Sequence, residues 1–270
     1  MEKNRCVAMR ERLLRAINYC NTQIINPSEY YVISALFKHV RDTIKNSLLL
    51  ESLANESAAS QASISRFIKK IGYPSYQDFR NTFLRSLDDL WFLRKNRVAM
   101  NYDNVDEVIE RNYACAIDNL KQTYSCLDRE SLERIVRRLL SSRSVTIIGD
   151  DHVLSIFYTV QLDLLANGIP AYLFKNEEMQ MLHVESLGEK DVLLFLTVSM
   201  DFIRPEQCKM IEDLQHKATL MGFFQENDDA YRKMFDEYYV YGRENTAIEG
   251  FYSLLLLSRL ISEMLYIVNS

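Results

Sequence analysis

Residues 53–73 read LANESAASQASISRFIKKIGY, and this stretch decides the fold of the first part of the chain. Ser60 suits the position before a helix, where its hydroxyl can accept a hydrogen bond from a free backbone N–H. After it, four apolar side chains recur at the i, i+3, i+4 and i+7 spacing of one helix face: Ile64, Phe67, Ile68 and Ile71. Gly72 supplies a left-handed cap and Pro74 prevents continuation. The pattern predicts an amphipathic helix that begins after Ser60.

Three more helices are predicted on either side of this one. Pro27 suits the first position of a helix, and the apolar spacing that follows it continues through Val40. A second helix is expected near Leu49–Ser57, and a fourth from about Ser75. The connection Ala58–Ala59–Ser60 between the second and third helices is as short as a helix-turn-helix requires. We therefore expect an all-α helix-turn-helix domain at the N-terminus.

The outward face of the third predicted helix has the composition of a DNA-reading surface. The major groove admits one helix, whose N-terminal residues contact base edges while Lys, Arg and backbone amides hold phosphates. Gln61 suits adenine, and Arg66 suits guanine or a phosphate. The predicted DNA-binding residues are Ser60, Gln61, Ala62, Ser63, Ser65, Arg66, Lys69, Lys70 and Arg80. On this pattern alone, a generic helical hairpin with a charged exterior stays open as an alternative.

The charge of the chain is divided unevenly between its two parts. The whole chain has a formal net charge of −5, but residues 1–90 hold 13 Lys and Arg against 9 Asp and Glu. The remaining 180 residues hold 19 Lys and Arg against 28 Asp and Glu. Only the first part is therefore expected to face a polyanion such as DNA.

The hydrophobic period changes in the second half of the chain. After an irregular stretch at 96–104, two helices are predicted, Val105–Leu127 and Ser131–Leu140. Short apolar runs then alternate with helical segments, and a helix over Thr246–Val268 follows; the runs are Val145–Ile148, Ile169–Phe174, Val192–Leu196, Ala218–Phe224 and Tyr238–Tyr241. This alternation predicts an α/β domain with a five-stranded parallel sheet flanked by helices. The predicted boundaries are 1–90 for the helix-turn-helix domain, 91–104 for a linker and 105–270 for the α/β domain.

The composition argues against several other classes of protein. Only 7 glycines are present and no Gly-rich phosphate-binding motif occurs, so nucleotide hydrolysis is not expected. The five cysteines are scattered without a C-x-x-C pair, which argues against a disulfide scaffold or a zinc site and favours a reducing cytoplasm. The apolar stretch Phe251–Val268 is broken by Arg259 and Glu263, so we interpret it as a buried helix. We expect no cofactor, no metal and no membrane span.

The stretch Leu53–Arg80 closely resembles the DNA-binding domain of the RpiR family of bacterial transcription regulators. The motif residues that carry the resemblance are Leu53, Ala54, Ser60, Ala62, Ser63, Ile64, Arg66, Phe67, Lys70, Gly72, Tyr73, Tyr76, Asp78, Phe79 and Arg80. Ala59 stands where the family usually has valine, which changes packing volume rather than chemistry. The resemblance implies a regulator that binds double-stranded DNA.

Members of this family continue with an SIS (sugar isomerase) domain that binds phosphosugars, and residues 145–268 are similar to that fold. The resemblance implies ligand contacts from the loops after the first and third strands. These contacts fall on Asp150, Asp151, His152, Thr197 and Ser199. Val153 and Met200 stand where the family usually has serine and glycine, and the two carboxylates would repel a dianion. We therefore expect a degenerate phosphosugar site.

Together these features predict a cytoplasmic DNA-binding transcription regulator that is not an enzyme. Its SIS-like domain is expected to form a homodimer or homotetramer, which would bind a near-palindromic operator, and to sense a small-molecule effector that could be a sugar phosphate. One alternative is an SIS-type sugar-phosphate isomerase, with Glu249 as the base, or a sugar-phosphate-binding protein without DNA binding. An SIS-like domain that serves only to dimerise is a further alternative.

Overall fold

The computed structural model describes residues 27–38, 50–83, 103–175, 177–198, 205–225, 228–241 and 247–268, together with Ile17, Tyr19 and Ile203. The chain divides into two compact units, Met1–Val105 and Asp106–Ser270. The predicted linker, 91–104, lies outside the described residues except for Asp103 and Asn104.

The described part of the first unit is entirely helical between its turns. Helix α1 is Pro27–Lys38, α2 is Leu50–Ser57, α3 is Gln61–Lys70, and residues 76–83 are also helical. One apolar core joins these helices, and it contains the four side chains whose spacing predicted α3: Ile64, Phe67, Ile68 and Ile71. The predicted all-α domain is thus confirmed, while Val40 and Leu49, which the predictions for α1 and α2 included, lie outside the described residues.

The turn between α2 and α3 has the backbone conformations that end one helix and begin the next. Ala58 adopts a positive φ of 50°, and the backbone N–H of Ala59 donates to the carbonyl of Ala54 at 3.2 Å. Ser60 is the N-cap of α3, and its Oγ accepts a hydrogen bond from the backbone N–H of Ser63 at 3.1 Å. Gly72, with φ of 95°, follows the end of α3 as its sequence position predicted.

The second unit is built on a parallel sheet of five strands in the order β2-β1-β3-β4-β5. The strands are β1 Ser144–Gly149, β2 Ala171–Leu173, β3 Asp191–Leu196, β4 Thr219–Phe224 and β5 Glu237–Val240. The predicted sheet is therefore confirmed, but β2 is half the length of its apolar run. Pro170, which has no backbone N–H to donate, directly precedes β2, and its carbonyl accepts a hydrogen bond from Val145 N–H of β1 at 2.9 Å. We call the edge at which all five strands end the carboxyl edge.

Helices cover both faces of this sheet. The described helices of this unit are α4 Val105–Ser125, α5 Arg129–Ser141, α6 Asp151–Ile156, α7 Tyr158–Ala166, α8 Glu177–Val184, α9 Pro205–Leu214, α10 Asp229–Arg232 and α11 Ala247–Val268. One apolar core includes α5, α6, α7 and α11, and the other includes α8 and α9, as both faces of a parallel sheet require. Helix α5 begins two residues before its predicted start because Asp128, rather than a later residue, caps it through Ser131 N–H at 3.0 Å.

Helix α11 serves as a core helix of this unit. Over Gly250–Val268 it is the one described helix whose length and hydropathy would also suit a membrane span. Four of its side chains are fully buried against the sheet: Leu254, Leu257, Ile261 and Leu265. This packing agrees with the interpretation of the stretch as a buried helix.

The opposite edge of the sheet, where the strands begin, contains a buried carboxylate that is hydrogen-bonded to its neighbours. The carboxylate of Asp191, at the start of β3, is 1% exposed and accepts hydrogen bonds from Arg143 Nε at 2.9 Å, Ser144 Oγ at 2.8 Å and Gly188 N–H at 2.9 Å. These donors, with Arg143 first, lower the pKa of Asp191 from 3.8 to about 2. This cluster therefore ties β1 to β3 and to the turn that precedes β3.

Candidate functional site

The outward face of α3 is accessible in the first unit. Gln61, Ala62, Arg66 and Lys69 are exposed, and Ser65 is half-buried. Because successive helix residues are rotated by about 100°, these five positions span an arc of about 140°, and the buried apolar residues lie on the other side. The structure thus brings together on one surface the residues that the sequence predicted would face DNA.

A chain of hydrogen bonds runs along the first two turns of this surface. The hydroxyls of Ser60 and Ser63 lie 2.9 Å apart, and Arg66 Nη2 donates to Ser63 Oγ at 3.1 Å. Both hydroxyls are therefore engaged at the start of the helix, where free backbone N–H groups and the helix dipole attract an anion. The contacts hold the Arg66 guanidinium against its own helix and position it beside that end.

Two of the predicted phosphate-binding cations have different surroundings. Lys70 Nζ donates to Glu29 Oε1 of α1 at 2.8 Å and lies 5.3 Å from the centre of the Tyr19 ring. The Glu29 contact raises the pKa of Lys70 and ties α3 to α1. Arg80 is half-buried on the helical segment 76–83. Both remain predicted phosphate contacts, but Lys70 also supports the fold of the unit.

The carboxyl edge of the second unit contains most of the predicted ligand residues. Asp150 is the N-cap residue of α6, directly after β1. His152 is exposed and stacks on Phe251 of α11 with ring centres 5.6 Å apart. Thr197 is buried directly after β3. The side chain of Asp151 and the whole of Ser199 lie outside what the structure describes.

Glycine at the end of β1 is required by the packing of the sheet. A Cβ on Gly149 would lie 2.6 Å from the backbone oxygen of Leu196 in β3, which is closer than real Cβ contacts allow. The close approach of β1 to β3 therefore accounts for this residue without reference to a ligand. It places Asp150 and Thr197, the residues that follow, at the ends of adjacent strands.

Two further residues end strands at the same edge and were not predicted as site residues. Tyr241 follows β5, is buried, and donates its hydroxyl to the carbonyl of Thr197 at 2.6 Å; burial raises the pKa of this phenol. Gln225 follows β4 and is 2% exposed. The sequence could have indicated Gln225 as a ligand residue, because it is a polar residue directly after an apolar strand and ligands bind at the carboxyl ends of parallel strands.

Gln225 lies against the first turn of α11. A Cβ on Gly250 would lie 3.0 Å from Gln225 Oε1 and 3.1 Å from Gln225 Nε2, so the absence of a side chain there admits the amide. Neither amide atom of Gln225 has a hydrogen-bond partner in the described part of the chain. The side chain of Glu249, the residue nominated for the isomerase alternative, lies outside what the structure describes.

A second buried amide lies beside the same helix. Asn119 of α4 is 3% exposed, and its Oδ1 accepts a hydrogen bond from Ser253 Oγ of α11 at 2.9 Å. Ser253 Oγ is also 2.7 Å from Thr123 Oγ1. Asn119 Nδ2 has no hydrogen-bond partner among the described residues. Within the same residues, no group of three or more His, Cys, Asp or Glu side chains is arranged to hold a metal ion.

Comparison with known proteins identifies the first unit. A family model described as a helix-turn-helix domain of the rpiR family matches residues 12–89. An uncharacterized HTH-type transcriptional regulator of Clostridium perfringens is 20% identical over 222 residues, which are 79% of this chain and 77% of the relative.

Solved structures identify the fold of the second unit. The sugar isomerase domain of an RpiR transcription factor from Sphaerobacter thermophilus has a TM-score of 0.50 and 13% identity, and the match covers 57% of this chain and 87% of that one. A candidate sugar-phosphate isomerase from Listeria monocytogenes has a TM-score of 0.52 and 11% identity over 62% of this chain and 94% of its own. The chain is therefore a helix-turn-helix transcription regulator whose residues 12–89 match the rpiR family model and whose second unit has the fold of a sugar isomerase domain.

Proposed function

We propose that this regulator reads duplex DNA through the outward face of α3 and responds to a small ligand at the carboxyl edge of its sheet. The observation that carries the proposal is the exposed arc that includes Gln61, Arg66 and Lys69. Arg66 donates to the hydroxyl of Ser63, which in turn pairs with the hydroxyl of Ser60. Small and polar residues near the start of the helix suit base edges, and cations farther along suit phosphates.

Arg66→Ala tests the DNA-binding surface. Loss of one guanidinium at the interface should weaken operator binding by about 1–3 kcal/mol, or about 5- to 150-fold in Kd. The measurement is a gel-shift titration on genomic fragments selected by the wild-type protein. Lys121→Ala removes an exposed cation from α4 and serves as the control. If Arg66→Ala binds the operator with unchanged affinity and keeps its melting temperature, α3 does not form the DNA-binding interface.

We also propose a cytoplasmic homodimer, formed through a face shared by α7 and α11. On α7, Tyr158, Leu162 and Leu165 recur at i, i+4 and i+7 and are each about half exposed. On α11, Leu255 and Tyr266 are exposed, and the Tyr266 hydroxyl donates to Asp163 of α7 at 2.8 Å. Apolar side chains exposed side by side on two packed helices suit a protein interface. A twofold axis would then present two copies of α3 to a near-palindromic operator.

Sedimentation velocity tests the dimer. Leu162→Asp should dissociate it, because a carboxylate would be buried at the interface without a partner. Leu182→Asp, which changes an exposed leucine of α8, is the matched control and should leave the dimer intact. Dimers of equal strength in both variants would exclude the α7–α11 face.

Sensing rather than catalysis is proposed for the second unit, although the isomerase alternative shares its fold. The support is the union of this fold with a DNA-binding domain in one chain, and the presence of Asp150 at the N-cap of α6, near which a phosphate would be repelled. Aldose–ketose interconversion of hexose and pentose phosphates should therefore be absent. Turnover that Glu249→Gln abolished would establish the isomerase instead.

A further inference from the structure

We infer that Gln225 and Asn119 contact the ligand at the carboxyl edge, and that their amides select a neutral, hydroxyl-bearing part of a carbohydrate-class molecule. The inference rests on the proposed function, because it assumes that the second unit binds a small ligand. It assigns two specificity-determining residues and moves ligand recognition away from the two loops that the family resemblance implied.

The buried amide of Gln225 is the first observation. The side chain is 2% exposed, and both Oε1 and Nε2 lack hydrogen-bond partners among the described residues. It lies at the end of β4 and against Gly250 in the first turn of α11. A 22-residue helix leaves its first N–H groups without helical acceptors, and its dipole makes that end positive. The unpaired amide of Gln225 therefore lies beside the N-terminal end of α11, whose backbone N–H groups and dipole attract oxygen atoms.

The amide of Asn119 is the second, independent observation. Its Oδ1 accepts from Ser253, but its Nδ2 is buried and lacks a partner in the described chain. Gly250 and Ser253 are three residues apart in α11, so they are neighbours on the helix surface, separated by about 4.5 Å along its axis. Two amides with unpaired donors thus lie within one turn of the same helix.

The chemistry of these amides limits the ligand. Burying an amide without a hydrogen bond is costly, so a group that pairs with it is favoured. Gln225 offers one acceptor and two donor hydrogens, and only a group that both donates and accepts can pair with both atoms. A hydroxyl does so, whereas a phosphate dianion has no hydrogen to give to Oε1. Adjacent hydroxyls of a sugar or polyol would suit Gln225, the first turn of α11 and Asn119 Nδ2 together.

Gln180 supplies a matched comparison within the same unit. It is also buried, but its Nε2 donates to the carbonyl of Phe174 at 2.7 Å. Replacement by methionine, which has a similar shape and no amide, should therefore have opposite effects at the two sites. Gln180→Met should lower the melting temperature of the full chain because it leaves a carbonyl unpaired. Gln225→Met should leave the melting temperature unchanged or raise it by a few degrees, because no bond is lost.

These melting temperatures, measured without ligand, test whether the amide of Gln225 lacks a hydrogen-bond partner in the free protein. A fall for Gln225→Met as large as that for Gln180→Met would show that Gln225 has a structural partner, and the inference would be overturned. The outcome does not depend on knowing the ligand. Operator binding by the same variants separates the two proposals: normal DNA binding with a destabilised Gln225→Met leaves the DNA-binding function standing and removes this inference alone.

Thermal shift with defined probes decides the ligand class. The probes are neutral hexoses, hexitols, hexose 6-phosphates and inorganic phosphate, each added to the wild-type chain and to Gln225→Met. We expect at least one hydroxyl-bearing probe to raise the wild-type melting temperature and to lose most of that shift in Gln225→Met, while inorganic phosphate produces none. A shift that survives in Gln225→Met, a shift with inorganic phosphate alone, or no shift with any hydroxyl-bearing probe would overturn the assignment.

Discussion

Asp191→Asn should destabilise the second unit in a way that depends on pH. The pKa of Asp191 is lowered from 3.8 to about 2, first by Arg143 and then by the donors of Gly188 and Ser144. At about 1.4 kcal/mol per pH unit, this difference corresponds to about 2.5 kcal/mol of stability at pH 7. Arg143 is largely exposed and therefore screened by solvent, so we expect about 2 kcal/mol.

The sign of the pH dependence follows from the lowered pKa. A carboxyl group whose pKa is lower in the folded state stabilises that state fully above the unfolded pKa, near 4. The contribution is lost as the pH falls through about 2, where the folded carboxylate of Asp191 is protonated. The difference between wild type and Asp191→Asn should thus be constant from pH 7 to pH 5 and fall to about half at pH 3.

Urea unfolding of the full chain, followed by circular dichroism at several pH values, measures this difference. Asp213→Asn removes an exposed carboxylate from α9 and should change stability by less than about 0.5 kcal/mol at every pH. A difference for Asp191→Asn that is equally large at pH 3 and pH 7 would show that shape rather than charge is responsible. No difference at pH 7 would refute the assignment of the stabilising charge.

Three other predictions concern the N-cap of α3, the packing of β1 against β3 and the salt dependence of DNA binding. Ser60→Ala removes the Oγ that accepts from Ser63 N–H and should lower the stability of the first unit by about 1 kcal/mol in thermal unfolding, with Ser60→Asp restoring it. Gly149→Ala places a Cβ 2.6 Å from the Leu196 oxygen and should cost about 1–3 kcal/mol, whereas a melting temperature equal to wild type would show that β1 and β3 separate easily. Operator affinity should fall steeply between about 50 and 200 mM salt because cations contact phosphates, and a flat titration would contradict the assigned interface.

The strongly periodic elements could be predicted from the sequence because local spacing determines them. The four apolar residues of α3 recur with the helical period, and every residue of β3 is apolar apart from Asp191 at its start. The bounds of other elements depended on single polar residues. Asp128 starts α5 earlier than its apolar pattern indicated, and Pro170 precedes a second strand shorter than its apolar run.

The roles of individual site residues could be predicted less well, because they depend on partners that are distant in sequence. Lys70 matched the pattern of a phosphate contact, yet it forms an ion pair with Glu29, 41 positions earlier. Gln225 follows an apolar strand, where a polar residue usually begins an exposed loop. It is nevertheless buried, and its amide lies against Gly250 of α11, which has no side chain to displace it. No local pattern contains either relation.

Gly149 and Gly250 both allow a close contact at the carboxyl edge, but for different reasons. The contact at Gly149 is explained by the fold, whereas the contact at Gly250 is better explained by a ligand. Gly149 is required by the approach of β1 to β3, so its presence at the end of β1 does not indicate a phosphate site. Gly250 has a different effect, because it admits the Gln225 amide without satisfying it. A fold alone gains nothing from burying an amide without a partner, since an apolar side chain of the same size would be at least as stable there. The unpaired amide of Gln225 is therefore a stronger indication of a ligand than Gly149 is.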